Sequence, residues 1–258
     1  MTLHRQLIAA AAIALSAFAT AGHAALVFDN FPAVPVSGTN IGSTGSTPNT
    51  FMGSGFTLAA GTSQITGFDL FPVNLSGTTF NALLLNIYVW GTVNTSGTVN
   101  AATPAFSNLL GSYSFTTTGS YATGFYYSFV SATPGVTPGV ALTTPLAVSG
   151  PNVGITLNYQ GSTDGGASWL SANSLTSMIS YGAAPSVGAN LFNGYYRNAN
   201  SETNGNFTST LRSLGLTNQS VAVRIYGDVS PVPEPGTYAL MAMGLAALLV
   251  VRRKARQG

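Results

Sequence analysis

The sequence predicts an all-β protein: a single β-sandwich, jelly-roll-like, occupying residues 25–230, with an N-terminal apolar leader before it and a C-terminal hydrophobic helix after it. Three observations carry this. Apolar residues alternate with polar ones in short runs, the period of a half-buried strand. Pairs containing Gly, Pro or Asp punctuate those runs as turns do. Helical periodicity of any length is missing except at the two ends. About two hundred residues is a size that one sandwich or barrel fills as a single domain.

The strand patterns come in order. Thr66, Phe68 and Leu70 alternate with Gly67 and Asp69, which sets Asp69 on the solvent face. Leu83 to Trp90 is a denser apolar run, with Trp90 in the core. Tyr113 and Phe115 alternate with Ser112, Ser114 and Thr116. Phe125 to Val130 is aromatic and β-prone. Val153, Ile155 and Leu157 alternate with Gly154, Thr156 and Asn158, and Val221, Val223 and Ile225 with Ala222, Arg224 and Tyr226. Turns are expected at Ser37-Gly38, Ser54-Gly55, Ser96-Gly97, Pro134-Gly135, Pro138-Gly139, Ser149-Gly150 and Asp164-Gly165-Gly166. Ser171 to Ile179 and Phe207 to Leu216 each have room for a short helix. Residues 37–50 read as an exposed polar loop. No repeat of fixed period stands out.

Composition narrows the chemistry. Hydrophobic residues make up 45% and charged residues 5%, against a usual charged share of about a quarter. Ser, Thr, Asn and Gly take the place of the missing charge. The net charge of +2 comes from the ends. Between them Arg197, Arg212 and Arg224 face Asp29, Asp69, Asp164, Glu202 and Asp228, so the body is slightly acidic and lacks the basic stripe that nucleic acid requires. There is no cysteine, which excludes disulfides, thiol nucleophiles and thiolate metal sites. The two histidines, His4 and His23, both lie in the leader.

The leader reads as a secretory signal peptide, residues 1–24. His4 and Arg5 form a short positive region, Leu7 to Thr20 is nearly unbroken Ala, Leu, Ile and Phe, and Gly22-His23-Ala24 offers small residues for cleavage between Ala24 and Ala25. The expected partners are the secretion machinery and signal peptidase.

The C-terminal segment, 231–258, has three parts. Three prolines in Pro231-Val232-Pro233-Glu234-Pro235 fix φ and remove amide donors, leaving an extended, accessible peptide. Thr237 to Val251 is uncharged and apolar, with Leu240, Gly244 and Leu248 along it. About fifteen residues reach ~22 Å as a helix, short of a ~30 Å hydrocarbon core, so crossing needs local thinning and snorkelling of the flanking cations. Arg252, Arg253, Lys254 and Arg256 follow, and the positive-inside rule keeps them cytoplasmic. The body then sits outside the inner membrane, on the side to which the leader sends it.

This order, Val232-Pro233-Glu234-Pro235, apolar helix, Arg252-Arg253-Lys254, closely resembles the PEP-CTERM sorting signal of Gram-negative bacteria that make exopolysaccharide. The resemblance implies recognition by an exosortase, a membrane-embedded transpeptidase with its own catalytic cysteine, which cuts near Pro-Glu-Pro and removes the helix, much as a GPI signal loses its tail. It is confined to the two ends and says nothing about residues 25–230, because bodies in this family vary widely.

Inside the body the sequence offers little chemistry. A Ser-His-Asp triad needs a histidine, and the common zinc sets lean on His and Cys; no cofactor and no metal is expected. Glycoside hydrolysis needs only two carboxylates, but the five present are too scattered to nominate a pair. Asp29 near the first strand and Asp228 near the last are a candidate calcium pair, weighed against two solvated aspartates. Aromatic residues, Trp169, Tyr195 and Tyr196 above all, are candidate contacts for sugar rings; Tyr195-Tyr196 follows Asn193-Gly194, which should turn one ring outward. The reading is a non-enzymatic structural or adhesive component of an exopolysaccharide or biofilm matrix. A carbohydrate-binding module is the alternative, and a carboxylate-dependent hydrolase is the third.

Overall fold

The structure, a computed structural model, describes residues 25–31, 51–96, 98–100, 102–170, 175–198, 211–213 and 215–229. In chain order the strands are β1 (Ala25–Asp29), β2 (Phe51–Thr57), β3 (Thr62–Leu70), β4 (Pro72–Asn74), β5 (Phe80–Val93), β6 (Phe106–Tyr121), β7 (Phe125–Tyr126), β8 (Val140–Ala147), β9 (Asn152–Ser162), β10 (Leu175–Ser177), β11 (Ile179–Ser180), β12 (Ala189–Asn190), β13 (Tyr196–Asn198), β14 (Ser220–Val221) and β15 (Val223–Val229). One sheet has the order β1-β15-β3-β8. The other runs β12-β2-β9-β5-β6, with β13 also paired to β2. Two small sheets, β10-β4-β7 and β11-β14, accompany them.

The two large sheets pack as a sandwich because their inner positions repeat every second residue. Leu83, Leu85, Ile87 and Val89 of β5 and Val153, Ile155, Leu157 and Tyr159 of β9 face Val27, Ile65, Phe68, Leu70, Val223 and Ile225 of the other sheet in one buried cluster. Each such aliphatic or aromatic side chain contributes about 1.5–3 kcal/mol by burial. The alternation legible in the sequence is this core.

The outer face of the larger sheet carries a second, smaller core. Trp90 is buried there with Phe51, Phe106 and Tyr196, and its indole N–H donates to Thr156 Oγ1 at 3.0 Å. Glycines make room for it. A Cβ on Gly154 would stand 2.5 Å from the Phe106 ring, and one on Gly53 2.9 Å from it. Ser54-Gly55 is therefore not a turn but the middle of β2, where its glycine lets Val93, Leu191 and Phe192 approach.

Other expectations also change. Leu175–Ser177 and Ile179–Ser180 are strands, not a helix, and residues 211–213 and 215–216 are not helical either, Arg212 bridging Tyr195; residues 171–174, 207–210 and 214, and the loop at 37–50, lie outside the described residues. The Phe125 to Val130 run holds a strand only at Phe125–Tyr126, with a further bridge between Leu70 and Phe129. Asp69 is fully buried, because β15 brings hydrogen-bond donors against it. Leader, Pro-Glu-Pro segment and apolar tail all lie outside the described residues.

Two loops bracketing β5 share the sequence Asn-x-Ser-Gly-Thr, starting at Asn74 and at Asn94. Each asparagine Nδ2 donates to the threonine carbonyl four residues on, at 2.9 and 2.8 Å. Each Oδ1 accepts the serine N–H, at 3.0 and 2.9 Å. Side-chain amides thus replace backbone ladder partners where β5 begins and ends.

Candidate functional site

The antiparallel pairing of β1 with β15 fixes the orientation of the molecule. Ala25 lies opposite Gly227, and Val229 opposite Thr62, so the chain enters and leaves the sandwich at the same end. The loops around Leu58 and Pro151, joined by a 2.7 Å hydrogen bond, lie there too. At that end Gly91, Leu110, Val148 and Val153 line a shallow groove with no ionisable group in its wall. β9 starts at this end and runs 11 residues to the other, roughly 35 Å at ~3.3 Å per residue.

At the far end, residues 162–170 form a closely tied loop. Ser162 Oγ donates to Asp164 Oδ1 at 2.6 Å and accepts the Gly166 N–H at 2.8 Å. Asp164 Oδ1 accepts the Ser168 N–H at 2.9 Å, and Oδ2 accepts the Ser168 hydroxyl. Asn81 clamps the loop from β5, donating to Thr163 O and accepting from Gly165 N–H, both at 2.8 Å. Gly165 and Gly166 have φ of 75° and 97°, a conformation that costs an L-residue steric strain. Hydrogen bonds from the Ser162 and Ser168 hydroxyls, then from the Ser168 N–H, hold the Asp164 carboxyl well below the usual carboxylate range.

This construction presents Trp169. Its partly buried ring lies over Gly166, 3.1 Å from where a Cβ would stand. Leu170, 52% exposed, is held by two hydrogen bonds to Gly161. Phe125, 61% exposed, opens from the neighbouring β4–β7 pair at the same end. An aromatic ring on a tied loop, beside hydroxyls and a carboxylate, is suited to stacking on a sugar while polar edges meet its hydroxyls.

The other end of the molecule leads to the tail, and there the comparison with known proteins is decisive. Residues 231–254 match the PEP-CTERM protein-sorting motif. The chain ends in a PEP-CTERM sorting signal. The motif marks an exported protein, processed by an exosortase, with a membrane-anchoring C-terminal tail that sorts it to the cell surface. No curated protein and no solved structure matches the chain.

The sorting residues Val232 to Pro235, the expected span from Thr237 to Val251, the basic cluster from Arg252 to Arg256 and Ala24 lie outside the described residues. Among the described residues no helix is long and apolar enough to cross a membrane. Ala25 is described: it is the first residue of β1.

Of the candidate glycan contacts, only Trp169 is accessible. Tyr195 and Tyr196 are buried, a correction with a clear cause. Tyr195 bridges Arg212 across a pair of backbone hydrogen bonds of 3.0 and 2.8 Å, and Tyr196 begins β13 against Gly53, its ring edge-on to Phe106 and Phe192. The Tyr196 hydroxyl donates to Asn94 O at 2.9 Å instead of facing solvent.

Two of the described carboxylates share one cation. Arg224 stands between Asp29, at 3.2 Å, and Asp69, at 3.4 Å. Its guanidinium also lies 5.2 Å from the centre of the Phe31 ring, which stacks on Phe71. Asp29 and Asp228 do not meet: antiparallel pairing puts Asp29 opposite Arg224, while Asp228 lies opposite Gln64. Among the described residues no three His, Cys, Asp or Glu side chains come together.

Asn81, Ser162 and Ser168 are missing from the residues singled out in the sequence. Their signal was present: serines two before and four after an Asp-Gly-Gly are spaced to bond to one aspartate.

Proposed function

We propose that this chain is a non-enzymatic component of the exopolysaccharide matrix at the cell surface, which the PEP-CTERM tail delivers and whose far end holds polysaccharide through Trp169. One observation carries the reading: the Trp169 loop lies at the end of the sandwich opposite Ala25 and Val229. A body tethered by its C-terminus therefore points this loop away from the membrane. The absence of cysteine from the sequence, and of histidine after residue 23, favours binding over catalysis.

The first experiment separates delivery from binding. Deleting residues 231–258 is expected to leave secretion intact and abolish surface retention; unchanged retention would overturn the sorting role. Substituting Trp169→Ala in the full chain is expected to leave surface delivery unchanged and weaken adsorption to the producer's own exopolysaccharide about tenfold, the loss of ~1.4 kcal/mol of ring contact. Equal adsorption by both proteins would remove polysaccharide as the ligand of this loop.

A further inference from the structure

Sheet edges expose unpaired N–H and C=O groups, and proteins blunt them with bulges, prolines, charges or covering segments. Three of the four edges of this sandwich are blunted. β1 is short, bulged between Leu26 and Phe28, and covered where Asp29 hydrogen-bonds to Val187 and Ser186. β8 carries Pro145, and its register jumps from Leu146 opposite Ile65 to Ala141 opposite Gly67, so the residues between loop out. β2 is covered by β12 and β13.

The fourth edge is β6, and among the described residues no further strand pairs with it. It is 16 residues long, contains no proline, lysine, arginine or carboxylate, and pairs with β5 in unbroken register from Gly111 to Thr118. Ser112, Ser114, Thr116 and Thr118 are exposed. Among the described residues the outward backbone groups of this stretch meet no partner. On the inner side Tyr113 and Phe115 are packed against the core but only half-buried, so apolar ring area remains at this edge for a partner to cover.

We propose that β6 is a self-association edge: a second copy of this chain adds its own β6 antiparallel, joining the two large sheets into one. The occupant follows from the chemistry of the strand. A neutral strand of hydroxyls and aromatics repels no copy of itself, and the body carries too little charge to oppose the approach. Two-fold pairing on one face matches residues of like parity. With Phe115 on the axis, Ser114 faces Thr116 of the second copy and Ser112 faces Thr118, giving hydroxyl pairs of the kind that stabilise sheets. This proposal is independent of the identity of the polysaccharide and of Trp169.

The chain has no cysteine of its own, so a double variant Ser112→Cys/Thr118→Cys reports the pairing. Directly opposed Cβ atoms ~5 Å apart are close enough to bridge with slight adjustment. This variant, expressed from the full-length sequence and recovered from the cell surface, is expected to run at twice its monomer mass without reductant and at its monomer mass with it. Adding Thr116→Lys should abolish the dimer. A companion measurement avoids reliance on the cysteines: sedimentation of surface-recovered wild type is expected to give a dimer, and of Thr116→Lys a monomer. A wild type that sediments as a monomer, or a Thr116→Lys variant that remains dimeric, overturns the proposal.

Discussion

The Tyr226 hydroxyl donates to Asp69 Oδ2 at 2.8 Å, and this pair holds the first and last parts of the sandwich together. Asp69 is fully buried on β3, yet its carboxylate also accepts the Gly139 N–H at 2.7 Å and the Arg224 guanidinium at 3.4 Å. A buried carboxylate is tolerated only when donors surround it. Asp69→Ala should therefore lower stability by about 3 kcal/mol, since it leaves Arg224 half-paired and removes the acceptor of two donors. Asp228→Ala, at a partly buried position near the end of β15, should shift stability by no more than ~0.5 kcal/mol. Urea midpoints compare the two; equal midpoints would show that the Asp69 cluster holds nothing together.

The pH dependence should be unusual. Cleaved after Ala24 and near Pro-Glu-Pro, the protein contains no His, Cys or Lys, and so no side chain whose ordinary value lies between about 6 and 9. Stability should be flat across that range. Burial first, and then the Asp69 carboxylate, push the Tyr226 phenol up to about 12. Its folded value thus lies above its ordinary value of about 10. The associated stability is complete below pH 10 and is lost as pH rises through about 12. Denaturation midpoints taken across pH, with tyrosinate absorbance, would test this. A stability change centred near pH 7 would contradict the arrangement.

Glycines in the larger sheet should prove sensitive wherever they form a floor. Gly154→Ala places a methyl 2.5 Å from the buried Phe106 ring, and overpacking of this kind costs roughly 1–3 kcal/mol. Gly77→Ala meets nothing within 4 Å and should be nearly neutral. Thermal unfolding of the two variants separates overpacking at Gly154 from a general intolerance of glycine substitution.

The core was legible because period-two alternation is a local signal: Leu83 to Val89 and Val153 to Leu157 declare their buried face residue by residue. The second core was hidden for the opposite reason. Ser54-Gly55 reads as a turn, and nothing local marks Gly53 or Gly154 as a floor, until pairing distant in sequence brings Phe106 over Gly53 and Gly154, and Val93, Leu191 and Phe192 over Gly55. Tyr195-Tyr196 failed in the same way, since Asn193-Gly194 suggests a turn toward solvent and only β2 explains the turn inward. Asp69 occupied the strand position that was expected, but its donors come from residues 139, 224 and 226. At the distal loop, Trp169 was chosen for its ring. What positions it, Asp164 with Ser162 and Ser168, is readable as spacing, but Asp164-Gly165-Gly166 by itself signals only an ordinary turn.

The paired Asn-x-Ser-Gly-Thr loops offer an internally controlled comparison. Asn74 is fully buried and its Nδ2 also donates to Tyr121 O at 2.9 Å. Asn94 sits at a more open end, and its second bond, to Thr103 O, is 3.3 Å. Asn74→Ala should cost about 2–3 kcal/mol, because carbonyls and N–H groups inside the protein lose their partner, while Asn94→Ala should cost no more than ~1 kcal/mol, because water replaces it. Equal losses would mean that the local turn, not burial, sets the energy.

Asp164 makes the Trp169 loop resistant to acid. The Ser162 and Ser168 hydroxyls hold its carboxyl below the usual range, and a depressed folded value means that the loop's order is present above the ordinary carboxylate value of about 4 and is lost only as pH falls through the lower folded value. Trp90 is buried, 2% exposed, and Trp169 is the other tryptophan of the chain. Acrylamide quenching therefore reports Trp169 almost alone. Quenching should stay constant from pH 7 to about 3, and Asp164→Ala should raise it throughout that range, because Ser168 and the turn preceding Trp169 lose their acceptor. A wild-type transition centred near pH 4 would show that the carboxylate is not held by those hydroxyls, and that the ring is not fixed in advance for a ligand.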